Sequence, residues 1–305
     1  AEVLDALQAI EENIDNIRTA IGWGAAHQLA LFDHALGIAL WRFFGVKGWY
    51  LEGEGVFGLI SAKLKGLCNQ TNMAKEPTPL SNECILWAQY LAHMSTCLWR
   101  MGRAEEAAAL LQPCVDILPA NNPAAVWTRS WCLLNLGMAV SFAHYQMQGR
   151  VYLGESYELA MKTTDSWLQA ISSIALSQSV RNEGRYEASQ RLVEQAETLL
   201  DKLGERIWSS FVMSELGRLA EIQGDLVTAE RYQRDCLAQR QALGMRPGLA
   251  TTLLDLGNVL RLQGNYEEAR DCFQQGLIIA NEVNKTMASY ILWSLGNLAL
   301  DQGEY

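Results

Sequence analysis

The sequence predicts an all-α chain built from stacked antiparallel helix hairpins, and three observations predict it. Glu215-Leu216-Gly217-Arg218, Asp255-Leu256-Gly257-Asn258 and Ser294-Leu295-Gly296-Asn297 match one another in steps of 40 and 39 residues. A second glycine follows each central one by seven residues, at Gly224, Gly264 and Gly303, and Leu226, Tyr266 or Tyr305 stands two further on. The run Leu253, Leu254, Leu256, Leu260 has helical spacing, yet Gly257 lies inside it. Glycine there costs about 1 kcal/mol relative to alanine, so close approach of a partner helix is the expected compensation.

Each half of the unit has its own reason. Gly264 suits the residue just past a helix end, Asn265 is placed to cap the next helix, and Glu268 stands where a capping-box partner belongs. Ala269 is the expected small counterpart of Gly257 on the second helix. One hairpin cannot bury its own apolar stripe, so neighbouring hairpins must stack. Upstream, Gly184-Arg185-Tyr186-Glu187-Ala188 repeats the second half, with Ser177 where the first glycine belongs; Gly149, Gly102 and Gly48 read as further copies of the second glycine. Ser189 replaces the alanine and Gln233 the aromatic Phe273, and the register before residue 170 stays open.

The 305 residues divide into an N-terminal helix, residues 1–28, and a repeat array over 29–305 whose last repeat is incomplete. Leu4, Leu7, Ile10, Ile14, Ile17 and Ile21 recur every three or four positions and mark the first segment as one amphipathic helix. With no initiator Met and an end inside a repeat, the sequence reads as a piece of a longer protein.

Composition excludes several classes. Half the residues are hydrophobic and 19% charged, which argues against disorder, and 34 acidic against 24 basic residues give a charge of -10. No basic field is available for a phosphate backbone, so nucleic acid is not expected as a direct partner. The longest greasy stretch, Leu29 to Phe44, is broken by Asp33, His34 and Arg42, so no membrane span is expected. Seven cysteines without a C-x-x-C pair fit unpaired core residues in a reducing, cytoplasmic compartment.

Gly257, Gly264, Tyr266, Ala269 and Phe273 at these spacings resemble the tetratricopeptide repeat family in its longer, roughly 40-residue variety. The resemblance implies an α-α solenoid that binds a partner on its concave face. Asn16-Ile17-Arg18-Thr19-Ala20-Ile21-Gly22-Trp23, followed by Ala39 to Phe44 and Gly48 to Gly53, resembles the connector and first repeat of bacterial signal-transduction ATPases with numerous domains. That second resemblance implies a sensor region whose ligand releases an ATPase module elsewhere in the parent chain. A complete switch of that kind needs about 5.5 kcal/mol of differential binding. No phosphate-binding G-x-x-x-x-G-K-[ST] loop occurs in the sequence, and no cofactor is implied.

The repeat register gives candidate ligand-binding residues. Counting each unit from the position that Ala250 holds, the ninth position of successive units reads Gln178, Arg218, Asn258 and Asn297, with Arg181 and Arg261 one turn later and Glu221 between them. Asn supplies donor and acceptor to a peptide backbone, and an Arg fork can hold a carboxylate. The same residues also read as a solvated polar face, and sequence alone leaves both open. Phe211, Tyr290 and Trp293 fall on the same wall, where packing is the simpler reading. The tryptophans at 41, 49, 87, 99, 127 and 131 read as core filling. His27 and His34, seven apart on an expected common helix face, lack a third metal ligand, and no catalytic constellation emerges. The expectation is a non-enzymatic module binding a peptide, protein or small ligand, with a free-standing peptide-binding scaffold as the alternative and an enzyme on an α-helical repeat scaffold ranked third.

Overall fold

A computed structural model describes residues 2–27, 31–72, 80–283 and 285–303. Among them are fifteen α-helices and no strand. The chain forms two compact units, one of residues 1–45 and 49–164, the other of residues 165–305 together with 46–48.

The first unit opens with α1 (Glu2–Glu12) and α2 (Ile14–His27). The single amphipathic helix expected over the N-terminal segment is therefore two: the side chain of Asn13 donates to Ala9 O and the chain turns there, since a short amide competes with the helical ladder. Helix α3 (His34–Lys47) packs on α4 (Tyr50–Asn72) through Phe44 and Phe57, whose ring centroids lie 5.8 Å apart. Helices α5 (Asn82–Arg100) and α6 (Ala104–Ile117), then α7 (Val126–Phe142) and α8 (Gln146–Ala160), follow as hairpins.

The second unit holds α9 (Ser166–Asn182) with α10 (Tyr186–Leu203), α11 (Arg206–Ile222) with α12 (Leu226–Leu243), α13 (Arg246–Leu262) with α14 (Tyr266–Val283), and α15 (Lys285–Gln302). The earlier member of each pair is a first helix, and α15 stands as the first helix of a further hairpin.

One spacing governs five hairpins across the two units. A small residue on the first helix meets a small residue twelve on, and a larger one sixteen on closes the gap. The sets are Ser95/Ala107/Leu111, Gly137/Gly149/Leu153, Ser177/Ser189/Val193, Gly217/Ala229/Gln233 and Gly257/Ala269/Phe273. A Cβ on Gly257 would stand 2.5 Å from the Phe273 ring, and one on Gly137 2.9 Å from Gly149 O. Helix backbones approach this closely only where side chains are absent. The register upstream of 170 is thereby fixed, and it corrects the placing of Gly149. That glycine holds the alanine position on α8, and the α7–α8 turn is made by His144, in the left-handed region at φ 72°. Glycine holds the same turn at Gly102, Gly184, Gly224 and Gly264.

Burial follows the register. Ala250, Leu253, Leu256, Leu260, Ala269, Phe273, Ala280, Ile291 and Leu298 form one core, and Ala170, Ile174, Val193, Ala196, Leu200, Val212 and Leu219 another. The first unit uses aromatics instead: Trp41 and Trp131 meet edge to face at 4.9 Å, and Trp127 stacks on Trp131. Trp99 and Trp131 are buried, as the core-filling reading expects, whereas Trp41, Trp49, Trp87 and Trp127 are partly exposed. Asn265, expected to cap α14, donates instead to Gln263 Oε1, whereas Asp165 and Asp225 do cap α9 and α12.

Two of the seven cysteines depart from the expected unpaired state. Cys68 near the end of α4 and Cys84 at the start of α5 are joined in a disulfide. Cys97, Cys114, Cys132, Cys236 and Cys272 are free and buried.

Candidate functional site

The six candidate residues all lie on first helices of the second unit: Gln178 and Arg181 on α9, Arg218 on α11, Asn258 and Arg261 on α13, Asn297 on α15. Successive first helices are neighbours, so one repeat step carries each position onto the next helix. All six residues are partly exposed.

The arginines and the amides behave differently. Arg181 Nε donates to Glu215 Oε2 at 3.0 Å, from α9 to α11. Arg218 Nη1 donates to Glu215 Oε1 at 2.6 Å, while its Nε and Nη2 reach Asp255 Oδ2 on α13 at 3.1 and 2.9 Å. Arg261 pairs with Asp301 on α15. Every predicted arginine is thus already held by a carboxylate of the chain, and in each case a pair ties one first helix to the next. Burial works against the Arg218 charge, but Asp255 and Glu215 overcome it and hold the guanidinium more firmly protonated than usual. Gln178, Asn258 and Asn297, by contrast, make no side-chain hydrogen bond to another described residue. Their donors and acceptors face outward uncommitted.

Sequence reasoning missed the partners Glu215, Asp255 and Asp301. A signal existed: Glu215 and Asp255 occupy one repeat position, three residues before Arg218 and Asn258. Glu221, in register between Arg181 and Arg261, makes no ion pair or hydrogen bond to a described residue. Burial, reinforced by Asp255 and opposed by Arg218, Arg261 and Arg181, pushes its carboxyl up to about 7.

Residues 208–282 and 248–305 match the tetratricopeptide repeat family. Residues 208–305 carry tetratricopeptide repeats. Human cell division cycle protein 16 homolog is 26% identical over 254 residues, covering 74% of this chain and 39% of that protein, so the chain spans well under half of this relative. Three solved structures share the tetratricopeptide-like fold. The apo form of RapI has a TM-score of 0.60 at 10% identity, over 93% of this chain and 100% of its own. Bacillus thuringiensis PlcR, solved with a peptide and DNA, has 0.59 at 11%, over 78% and 83%. A signal transduction ATPase with numerous domains and a tetratricopeptide repeat sensor, from Pyrococcus horikoshii, has 0.52 at 12%, over 84% of this chain and 40% of its own.

The other sequence candidates are spread over both units. Phe211 is partly buried and stacks on Trp208, and Tyr290 and Trp293 are 54% and 69% exposed on α15. His27 ends α2 and stacks on Trp23, whereas His34 opens α3 and meets Trp127 edge to face, so the two do not share a helix. His93 packs among Trp41, Phe57, Tyr90 and Trp131; burial, with a smaller push from His34, lowers it to about 3 and keeps the ring neutral. Among the described residues no three His, Cys, Asp or Glu side chains are grouped as metal ligands, and no helix is long and apolar enough to cross a membrane.

Proposed function

We propose that the first-helix face of the second unit receives an extended peptide or a protein segment. Gln178, Asn258 and Asn297 hold its backbone, and Arg181, Arg218 and Arg261 set the charge and rigidity of the surface between them. The observation that carries this reading is the division of labour on the face: the arginines are paired internally, while three amides in repeat register have no internal partner. An amide offers both a donor and an acceptor, and repetition at one position matches an extended backbone. The reading is non-catalytic, with neither nucleic acid nor membrane as a direct partner. Panning a phage-displayed random peptide library on the chain, and in parallel on an Asn258→Ala/Asn297→Ala variant, tests it. Peptides retained only by the unaltered chain are the expected result; identical selections on both would remove the site.

The wider reading makes this array the sensor of a cytoplasmic bacterial signalling ATPase, whose ATPase module is its second partner. The connector-like run Asn16 to Trp23 supports it, and five free buried cysteines support the compartment, with Cys68–Cys84 the exception. A coding sequence that continues upstream into a phosphate-binding loop is the expected finding, and an upstream region without one would sink the parentage.

A further inference from the structure

We propose that the ligand of this face brings a cationic group, an ammonium or a guanidinium, to Glu221. The proposal rests on the binding reading just given and names the chemistry that site accepts. Three arginines stand on the face, and the chain's own carboxylates already answer them: Glu215 for Arg181, Glu215 and Asp255 for Arg218, Asp301 for Arg261. Three positive and three negative groups cancel. Glu221, set in register between Arg181 and Arg261, is left over, and no described residue gives it a hydrogen bond or an ion pair.

An incoming carboxylate would therefore find no vacant arginine. To bind Arg181 or Arg218 it must displace Glu215, whose side chain is only 1% exposed, and leave it as an uncompensated buried charge. Arg261 Nε lacks an acceptor but is itself buried beyond a ligand's reach. An incoming cation breaks no pair. It meets the carboxylate whose surroundings most disfavour a bare charge, and it relieves that penalty by supplying the missing counterion. The amides of Gln178 and Asn258 stand three residues before Arg181 and Arg261, one turn along their helices, where they can hold the backbone on either side of such a group.

The same panned library supplies the probes. Peptides that depend on Asn258 and Asn297 are expected to be enriched in Lys or Arg, and synthetic versions should bind Glu221→Gln at least tenfold more weakly. Replacing the peptide's Lys by norleucine should cause the same loss on the unaltered protein, a comparison that does not depend on how the variant folds. Acetylating the peptide N-terminus separates a terminal ammonium from a side chain. Amide-dependent peptides that are acidic, or whose binding ignores both Glu221→Gln and norleucine, would overturn the proposal while leaving the binding face intact. Selections indifferent to Asn258 and Asn297 would overturn the face and the proposal together.

Discussion

Arg218 Nη2 and Asp255 Oδ2 stand 2.9 Å apart across one repeat step, so that α11 is pinned to α13. The pair shares its guanidinium with Glu215, and Ser214 Oγ approaches the same Asp255 oxygen at 3.4 Å. Breaking it from the acidic side strands a guanidinium only 23% exposed. Removal of one partner from a fully buried pair costs about 3–5 kcal/mol, and the remaining exposure together with Glu215 reduces that. Asp255→Asn is expected to lower stability by about 2 kcal/mol in urea unfolding. A change below about 0.5 kcal/mol would show that the pair does not join the helices.

Glu221 gives a pH signature of definite sign. Its folded-state pKa of about 7 lies above the unfolded value near 4.5, so the folded chain holds the proton more tightly. The stability this confers is present at low pH and is lost as pH rises from the unfolded value through about 7. Glu221→Gln removes the titration. Relative to the unaltered chain it should be nearly neutral at pH 4 and more stable by about 2–3 kcal/mol at pH 8. Denaturant melts at the two values check it, and parallel stability profiles would remove the assignment.

The hairpin periodicity was legible because glycine and alanine are visible wherever backbones touch: Gly217 with Ala229 and Gly257 with Ala269 stand at repeated spacings. The slip at Gly149 has the same origin, since a glycine advertises itself whether it serves a turn or a close approach, while His144 in a left-handed turn carries no sequence mark. The candidate face was legible as a register, because 178, 218, 258 and 297 differ by whole repeats. What those side chains do was not. Arg181 and Glu215 are 34 residues apart and Arg261 and Asp301 are 40 apart, and such pairings appear only once helices are placed side by side. Cys68 and Cys84 share no spacing rule that distinguishes them from the five free cysteines.

His144 is the one non-glycine residue with positive φ among the described residues. A Cβ in that region costs about 1–2 kcal/mol, part of which is returned because glycine makes the unfolded chain more disordered. His144→Gly should therefore raise stability by about 0.5–1 kcal/mol, while Gly264→Ala, at φ 82°, should lower it by a similar amount. Thermal melts of the two variants moving in opposite directions are the expected outcome; a destabilised His144→Gly would mean that the imidazole is required.

Arg240 occupies the place that Leu200 and Ala280 hold one repeat before and after, and it is buried to the same degree. Its guanidinium donates to Ser210 Oγ at 3.2 Å, Gly248 O at 3.0 Å and Thr252 Oγ1 at 2.7 Å, and it lies over the Phe211 ring. Gly248 makes room for it, since a Cβ there would fall 2.9 Å from Arg240 Cδ. The two positions should therefore be energetically coupled. Gly248→Ala alone is expected to cost about 1–3 kcal/mol through overpacking. With Arg240→Leu in place, the acceptors keep other donors: Thr252 Oγ1 donates to Gly248 O, and Cys236 Sγ to Ser210 O. In that background the clash is gone, and the higher helix propensity of alanine makes Gly248→Ala neutral or stabilising by up to about 1 kcal/mol. A double-mutant cycle with a coupling energy of about 1 kcal/mol or more is the predicted reading, and additive effects would show that Gly248 is small for a reason unrelated to the arginine.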